Sequence, residues 1–171
     1  ANFMATSRMT ILRVFIHNED LTDCNWQLHD GFEQSGSGSD SLQAIMKIPF
    51  DSVEVYLSPH LATIFKADLG AVSDRKISDD LLLGVIEDSL AEEMDDCKPI
   101  LMRLTDGVSY IAVLTRNFYQ LLLSCLSEHV KQVKFIQPFS YASHYQDKLW
   151  TVFLIGEHQY VRTSQFEYFL L

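Results

Sequence analysis

The chain has 171 residues, 47% hydrophobic and 21% charged, with a formal net charge of −10 and a pI near 4.9. That length suits one large domain or two small ones around a real core, and the composition excludes a disordered chain. The acidic balance argues against nucleic acid and anionic membrane surfaces as partners, since both call for clustered Lys and Arg, and no run of about eighteen uncharged apolar residues is available to span a bilayer.

Ala1 to Arg8 lack the apolar core of a signal peptide and read as an expression scar ahead of a native start at Met9. Thr10 to His17 is too continuously apolar for a one-sided surface strand and predicts a buried one, followed by a second strand at Cys24 to His29. The polar stretch Gly31 to Asp40 allows a short third strand at Phe32 to Gln34 and then a loop, Ser37-Gly38-Ser39-Asp40. Asp40 and Gln43 suggest a capping box for a short helix, Ser41 to Lys47, which Pro49 stops. Alternation predicts a strand at Val53 to Leu57, with another at Leu61 to Ala67 beyond the Ser58-Pro59 turn.

Ser78 is placed to cap a helix running from Asp79 to about Met94, with Leu82, Val85, Ile86, Leu90 and Met94 on one face. Pro99 follows its end. Asp106-Gly107 between the apolar runs Ile100 to Thr105 and Val108 to Leu114 is a strong hairpin signal. Thr115 then caps a helix, Arg116 to His129, whose Phe118, Leu121, Leu122, Cys125 and Leu126 are expected to face a core. A strand at Val133 to Gln137 ends at Pro138, with a short helical turn expected at Phe139 to Tyr145. Leu149 to Ile155 and His158 to Thr163 form a second hairpin about Gly156-Glu157, and Phe166 to Leu171 is extended. The apolar stop suggests a fragment of a longer protein. The order of elements predicts a mixed α/β (α+β) fold, with two subdomains meeting near residues 71–99.

The search for chemistry is mostly empty. Gly36-x-Gly38 lacks the remainder of any phosphate-binding pattern and reads as a flexible loop. The six histidines show no ligand spacing, and three widely spaced cysteines, Cys24, Cys97 and Cys125, make neither a disulfide framework nor a metal pair; a reducing compartment fits them. No nucleophile elbow occurs. The expectation is a protein that is not an enzyme and holds no metal or cofactor.

What stands out is charge. Between Ser73 and Asp96 lie nine acids against two bases, a net −7. Glu87, Asp88, Glu92, Glu93, Asp95 and Asp96 have no Lys or Arg among them, and like charges at i,i+4 such as Asp88 and Glu92 mildly destabilise a helix. Two readings stand: a solvated face, or a docking surface for a basic partner.

The block Val85-Ile86-Glu87-Asp88-Ser89-Leu90-Ala91-Glu92-Glu93-Met94-Asp95-Asp96 resembles the cytoplasmic domain of type II secretion system protein L, the GspL family. Val53 to Ser58 with Ala62-Thr63-Ile64, Val130 to Pro138, and Trp150 to Arg162 with Gly156-Glu157 resemble further blocks of that family in the same order, so that the likeness spans most of Met9 to Leu171. The resemblance implies an actin-like, ribonuclease H-like fold. It implies an adaptor on the cytoplasmic face of the bacterial inner membrane, holding the secretion ATPase GspE by its N-terminal domain, with GspM contacted through further sequence and a transmembrane helix beyond Leu171. Self-association is left open, and the acidic residues above become the candidate ATPase dock. Nucleotide-hydrolysing relatives, and the type IV pilus protein PilM, open with a glycine-rich phosphate hairpin. The equivalent segment here, Ile16 to Asp23, has no glycine. An actin-like nucleotide-binding protein and a PilM-like pilus scaffold are the alternatives.

Overall fold

The computed structural model describes residues 9–69, 77–103, 109–139, 146–155, 158–163 and 168–170. The chain divides into two compact units, one formed by the residues up to Pro59 together with those from Ser124 onward, the other by His60–Leu123. The division falls outside the 71–99 window read from the sequence. The second unit is inserted between two strands that pair with each other, and linear order does not reveal that.

The first unit is built on a five-stranded sheet of β1 (Thr10–Ile16), β2 (Cys24–Asp30), β3 (Glu33–Asp40), β4 (Ser52–Leu57) and β8 (Val133–Pro138), in the order β3-β2-β1-β4-β8. β1, β2 and β3 are antiparallel, while β1, β4 and β8 run parallel. This mixed sheet is the ribonuclease H-like arrangement expected of the actin-like fold. One face places Leu12 beside Val53, Val14 beside Val55 and Ile16 beside Leu57, all buried; each such side chain stabilises by about 1.5–3 kcal/mol. On the other face Phe15 stacks on Tyr56 at 5.1 Å, and Phe139 meets Phe15 and Tyr160 edge-on. On that face Arg13 Nε also donates to Glu54 at 2.9 Å, with Lys134 Nζ 3.8 Å from the same carboxylate. Every residue of β4 is therefore buried, including Glu54, and its alternation does not mean one wet face.

β3 corrects the expected loop. Residues 37–40 are strand, and Gly36 and Gly38 lie under the Trp26 ring of the neighbouring strand. A Cβ at Gly38 would sit 2.9 Å from Trp26 Nε1, so the glycines seat an aromatic ring rather than a phosphate. The helix α1 (Leu42–Ile45) is capped by Ser41, whose side chain accepts from the Ala44 amide. Asp40 is not the cap as expected; its carboxylate instead accepts from the Ser41 amide. A separate three-stranded sheet, β11-β10-β9, joins β9 (Thr151–Ile155), β10 (His158–Arg162) and β11 (Tyr168–Leu170). Its expected turn at Gly156-Glu157, and most of the helical turn expected at Phe139 to Tyr145, lie outside the described residues.

The second unit is an antiparallel sheet, β5-β7-β6, of β5 (Thr63–Ala67), β6 (Cys97–Arg103) and β7 (Ser109–Thr115), with α2 (Asp79–Ile86) against it. Pro99 lies within β6 opposite Val113. Being in an edge strand, it can lack an amide hydrogen without breaking the sheet. The Asp106-Gly107 turn lies outside the described residues, and the strands flanking it pair as the hairpin signal predicts. The core gathers Ala67, Leu69, Leu82, Leu83, Ile86, Cys97, Ile111 and Val113. The division between units falls within α3 (Arg116–Leu126), where the Thr115 hydroxyl accepts from the Phe118 amide. The helix ends at Leu126, before a 3-10 turn over Ser127–His129. Phe118, Leu122 and Leu126 are buried as expected, whereas Leu121 is exposed.

Candidate functional site

The acidic segment does not form one helix to Met94. Ser78 caps α2, its hydroxyl accepting from the Leu81 amide, but the helix stops at Ile86. A 3-10 turn, Glu87–Ser89, follows, then an extended Leu90 (φ −73°, ψ 137°) and a second 3-10 turn, Met94–Asp96. The physical reasons are local. Carboxylates at a helix C-terminus oppose the macrodipole, and Asp88 with Glu92 would repel each other on a continued helix. Leaving the helix also lets Leu90 and Met94 fold back onto the core of their unit. Val85, expected on the buried face, is 44% exposed, and Leu83 takes its place inside.

The turns display the six predicted acids together on one short stretch. Glu87 and Asp88 stand on the first turn, Glu92 and Glu93 on the bend, Asp95 and Asp96 on the second, and all six are exposed. Among the described residues none of them forms an ion pair. The nearby cations are committed elsewhere. Lys98 Nζ reaches Asp79 at 2.6 Å and lies over the Tyr119 ring. Arg116 donates Nε to the Asp95 carbonyl at 2.9 Å and Nη2 to the Cys97 carbonyl at 3.1 Å. Arg116 thus fixes the main chain of the acidic segment without engaging its carboxylates, of which Glu92 accepts a long hydrogen bond from the Cys97 thiol at 4.0 Å. Sequence reading gave Arg116 no such role, because a main-chain clamp twenty residues away leaves no pattern. Burial, followed by the charges of Glu92 and Asp96, pushes the Cys97 thiol up despite Arg116, so it is a poor nucleophile. Burial likewise raises Cys24 to about 12.

The β1–β2 turn is the segment that the resemblance sets against the glycine-rich phosphate hairpin. Two of its amides are turned onto its own side chains: Thr22 donates its N–H and hydroxyl to Asp20, and the Asp23 amide donates to Asn18 Oδ1. Leu21 adopts a positive φ of 61° and is buried at 3% exposure. Its carbonyl accepts from the Leu42 amide. Those two Thr22 donations hold the Asp20 carboxyl below its ordinary value. The turn is a plug made of its own side chains.

A cleft of about 300 Å³ beside β2 and β3 is lined by Asn25, Gln27, Gln34, Ser37, Ser39 and Leu154, none of them a predicted site residue. Among the described residues no group of three or more His, Cys, Asp or Glu converges as metal ligands would. No helix among them is long and apolar enough to cross a membrane.

No protein-family model and no curated protein matches the sequence. Among solved structures, the chain is similar to the cytoplasmic domain of EpsL, an inner membrane component of the type II secretion system of Vibrio cholerae. The TM-score is 0.75 at 18% identity, over 95% of this chain and 71% of that one. A protein of unknown function with an actin-like ATPase fold from Bacteroides thetaiotaomicron matches with a TM-score of 0.48 at 12% identity, over 94% of this chain and 67% of that one. The chain has the fold of the EpsL cytoplasmic domain, a type II secretion protein of the kind to which the block Val85 to Asp96 pointed.

Proposed function

We propose that this protein is a non-catalytic adaptor of the type II secretion inner-membrane assembly, working at the cytoplasmic face of that membrane. It docks the secretion ATPase GspE through the ATPase's N-terminal domain, and GspM and other platform proteins meet the remainder of the same polypeptide. The observation that carries the reading is the fold likeness to the EpsL cytoplasmic domain over 95% of the chain. Two features of the chain support it. The β1–β2 turn directs its Thr22 and Asp23 amides to Asp20 and Asn18 instead of offering them to a phosphate. The carboxylates of Glu87, Asp88, Glu92, Glu93, Asp95 and Asp96 stand exposed around a main chain that Arg116 holds in place. A fixed array of uncompensated charge accelerates encounter with a basic surface and selects against an acidic one.

The test has two arms. Titration with the N-terminal domain of GspE from the same genome should give a saturable complex that weakens with salt. Millimolar ATP-Mg should leave the melting temperature unchanged. A nucleotide at a hundred times its dissociation constant would add about 2.7 kcal/mol, or about 5–10 °C for a chain of this size. Such a rise, without ATPase binding, would favour the actin-like nucleotide-binding reading instead.

A further inference from the structure

The outward side of α2 carries a feature that the fold itself does not require. Leu82, Leu83 and Ile86 face the core, so the opposite side presents Asp80, Leu81, Gly84 and Val85. Leu81 is 38% exposed and Val85 44%. Between them, a Cβ built on Gly84 would meet nothing within 4 Å among the described residues. Gly84 is not among the residues with positive φ. Neither crowding nor backbone geometry therefore calls for glycine, and in mid-helix only proline is less favourable. Leu81, Gly84 and Val85 fall at i, i+3 and i+4 and so share one face: two apolar side chains about a bare stretch of backbone. The distance between packed helices is set by the side chains at their contact, and glycine there permits the closest approach.

Among the described residues, the rim of this ledge is acidic. Asp80, Glu87 and Asp88 border it, and Lys98, at the start of the adjoining strand, is held by Asp79. An occupant must therefore be apolar along its seam and basic along its flanks. We propose that Leu81, Gly84 and Val85 are the apolar seat for one amphipathic helix of the docked partner, Lys- or Arg-flanked, whose backbone passes close over Gly84. This rests on the ATPase-docking reading and sharpens it. The acids steer, and the α2 ledge holds.

Gly84→Ala and Gly84→Leu separate the two ideas. Alanine is a better helix former and meets open space, so its melting temperature should rise or stay level, which rules out damage to the fold as a cause of lost binding. Its dissociation constant for the GspE N-terminal domain should nevertheless increase at least tenfold, and that of Gly84→Leu further, chiefly through faster dissociation. If the wild type binds and Gly84→Ala and Gly84→Leu both bind within twofold of it, the seat is refuted while the docking reading stands. If the wild type itself shows no binding, the docking reading falls and the seat falls with it.

Discussion

The β1–β2 turn and the segment after α2 are both short and acidic, and the chain treats their charge in opposite ways. In residues 18–23, Asp20 and Asn18 accept from main-chain amides two and five residues on, and the turn closes over the buried Leu21. In residues 87–96, six exposed carboxylates form no ion pair among the described residues; Glu92 takes one long hydrogen bond from the Cys97 thiol at 4.0 Å, and the segment is otherwise held by Leu90 and Met94 on the core and Arg116 on the carbonyls. The difference teaches that acidity alone is a poor guide to availability. A carboxylate with an amide or hydroxyl within its own turn is a structural device, whereas one whose surroundings are fixed by other groups is left to water or to a partner.

The comparison breaks most visibly at the apolar anchors. Leu82→Ala or Ile86→Ala should each destabilise by about 2–5 kcal/mol, because a cavity is left in a small core. Leu21→Ala should fall in the same range for the same reason, read by denaturant unfolding at neutral pH. A loss under about 1 kcal/mol at Leu82 would mean that α2 is not firmly seated, and the acidic segment would then lack a rigid base.

The next contrast is in pH. The Asp20 carboxyl is held below 3.8 in the folded chain by the Thr22 hydroxyl and amide. A depressed folded pKa stabilises above the unfolded value and is lost as pH falls through the folded one. Wild type should therefore be more stable than Asp20→Ala at neutral pH, and the gap should close below pH 3.8, in the acid limb of an unfolding titration. Asp51, whose carboxyl is lowered by the Thr10 amide and hydroxyl, should show the same sign. A gap that widened in acid would contradict the hydrogen-bonded turn.

The legible parts of the molecule are those set by neighbours in sequence. The strands of β1 and β2, the β6–β7 pairing, and the caps at Ser78 and Thr115 all follow from local pattern. What escaped depends on residues far along the chain. β3 reads as a loop until Trp26 is laid across Gly36 and Gly38. Buried Glu54 is tolerable because Arg13, forty-one residues earlier, and Lys134, eighty residues later, meet it. At the candidate site the acids themselves were plain in the sequence, but the end of α2 at Ile86 was not, because the apolar period runs on through Leu90 and Met94. Those residues reach the core by leaving the helix, which periodicity cannot distinguish from continuing it. The exposed Leu81 and Val85 were hidden by the same assumption.

The smallest effect on stability should come from the largest change in charge. Reversing Asp88, Glu92 and Asp95 to Lys takes the exposed segment 87–96 from a net of −6 to 0, yet no ion pair among the described residues is broken. Arg116 grips carbonyls, which the substitution leaves in place. Exposed charge interactions are worth about 0–1 kcal/mol, so unfolding should move by no more than that, and in the stabilising direction if self-repulsion dominates. Binding should respond very differently. At low salt the association rate with the GspE N-terminal domain should drop, and its dependence on ionic strength should flatten, since steering requires opposite fields. Dissociation should change less, because the apolar contacts at α2 are untouched. If the reversed protein associates at the wild-type rate across the salt series, the six acids are only a solvated surface and the contrast between the two stretches has no bearing on function.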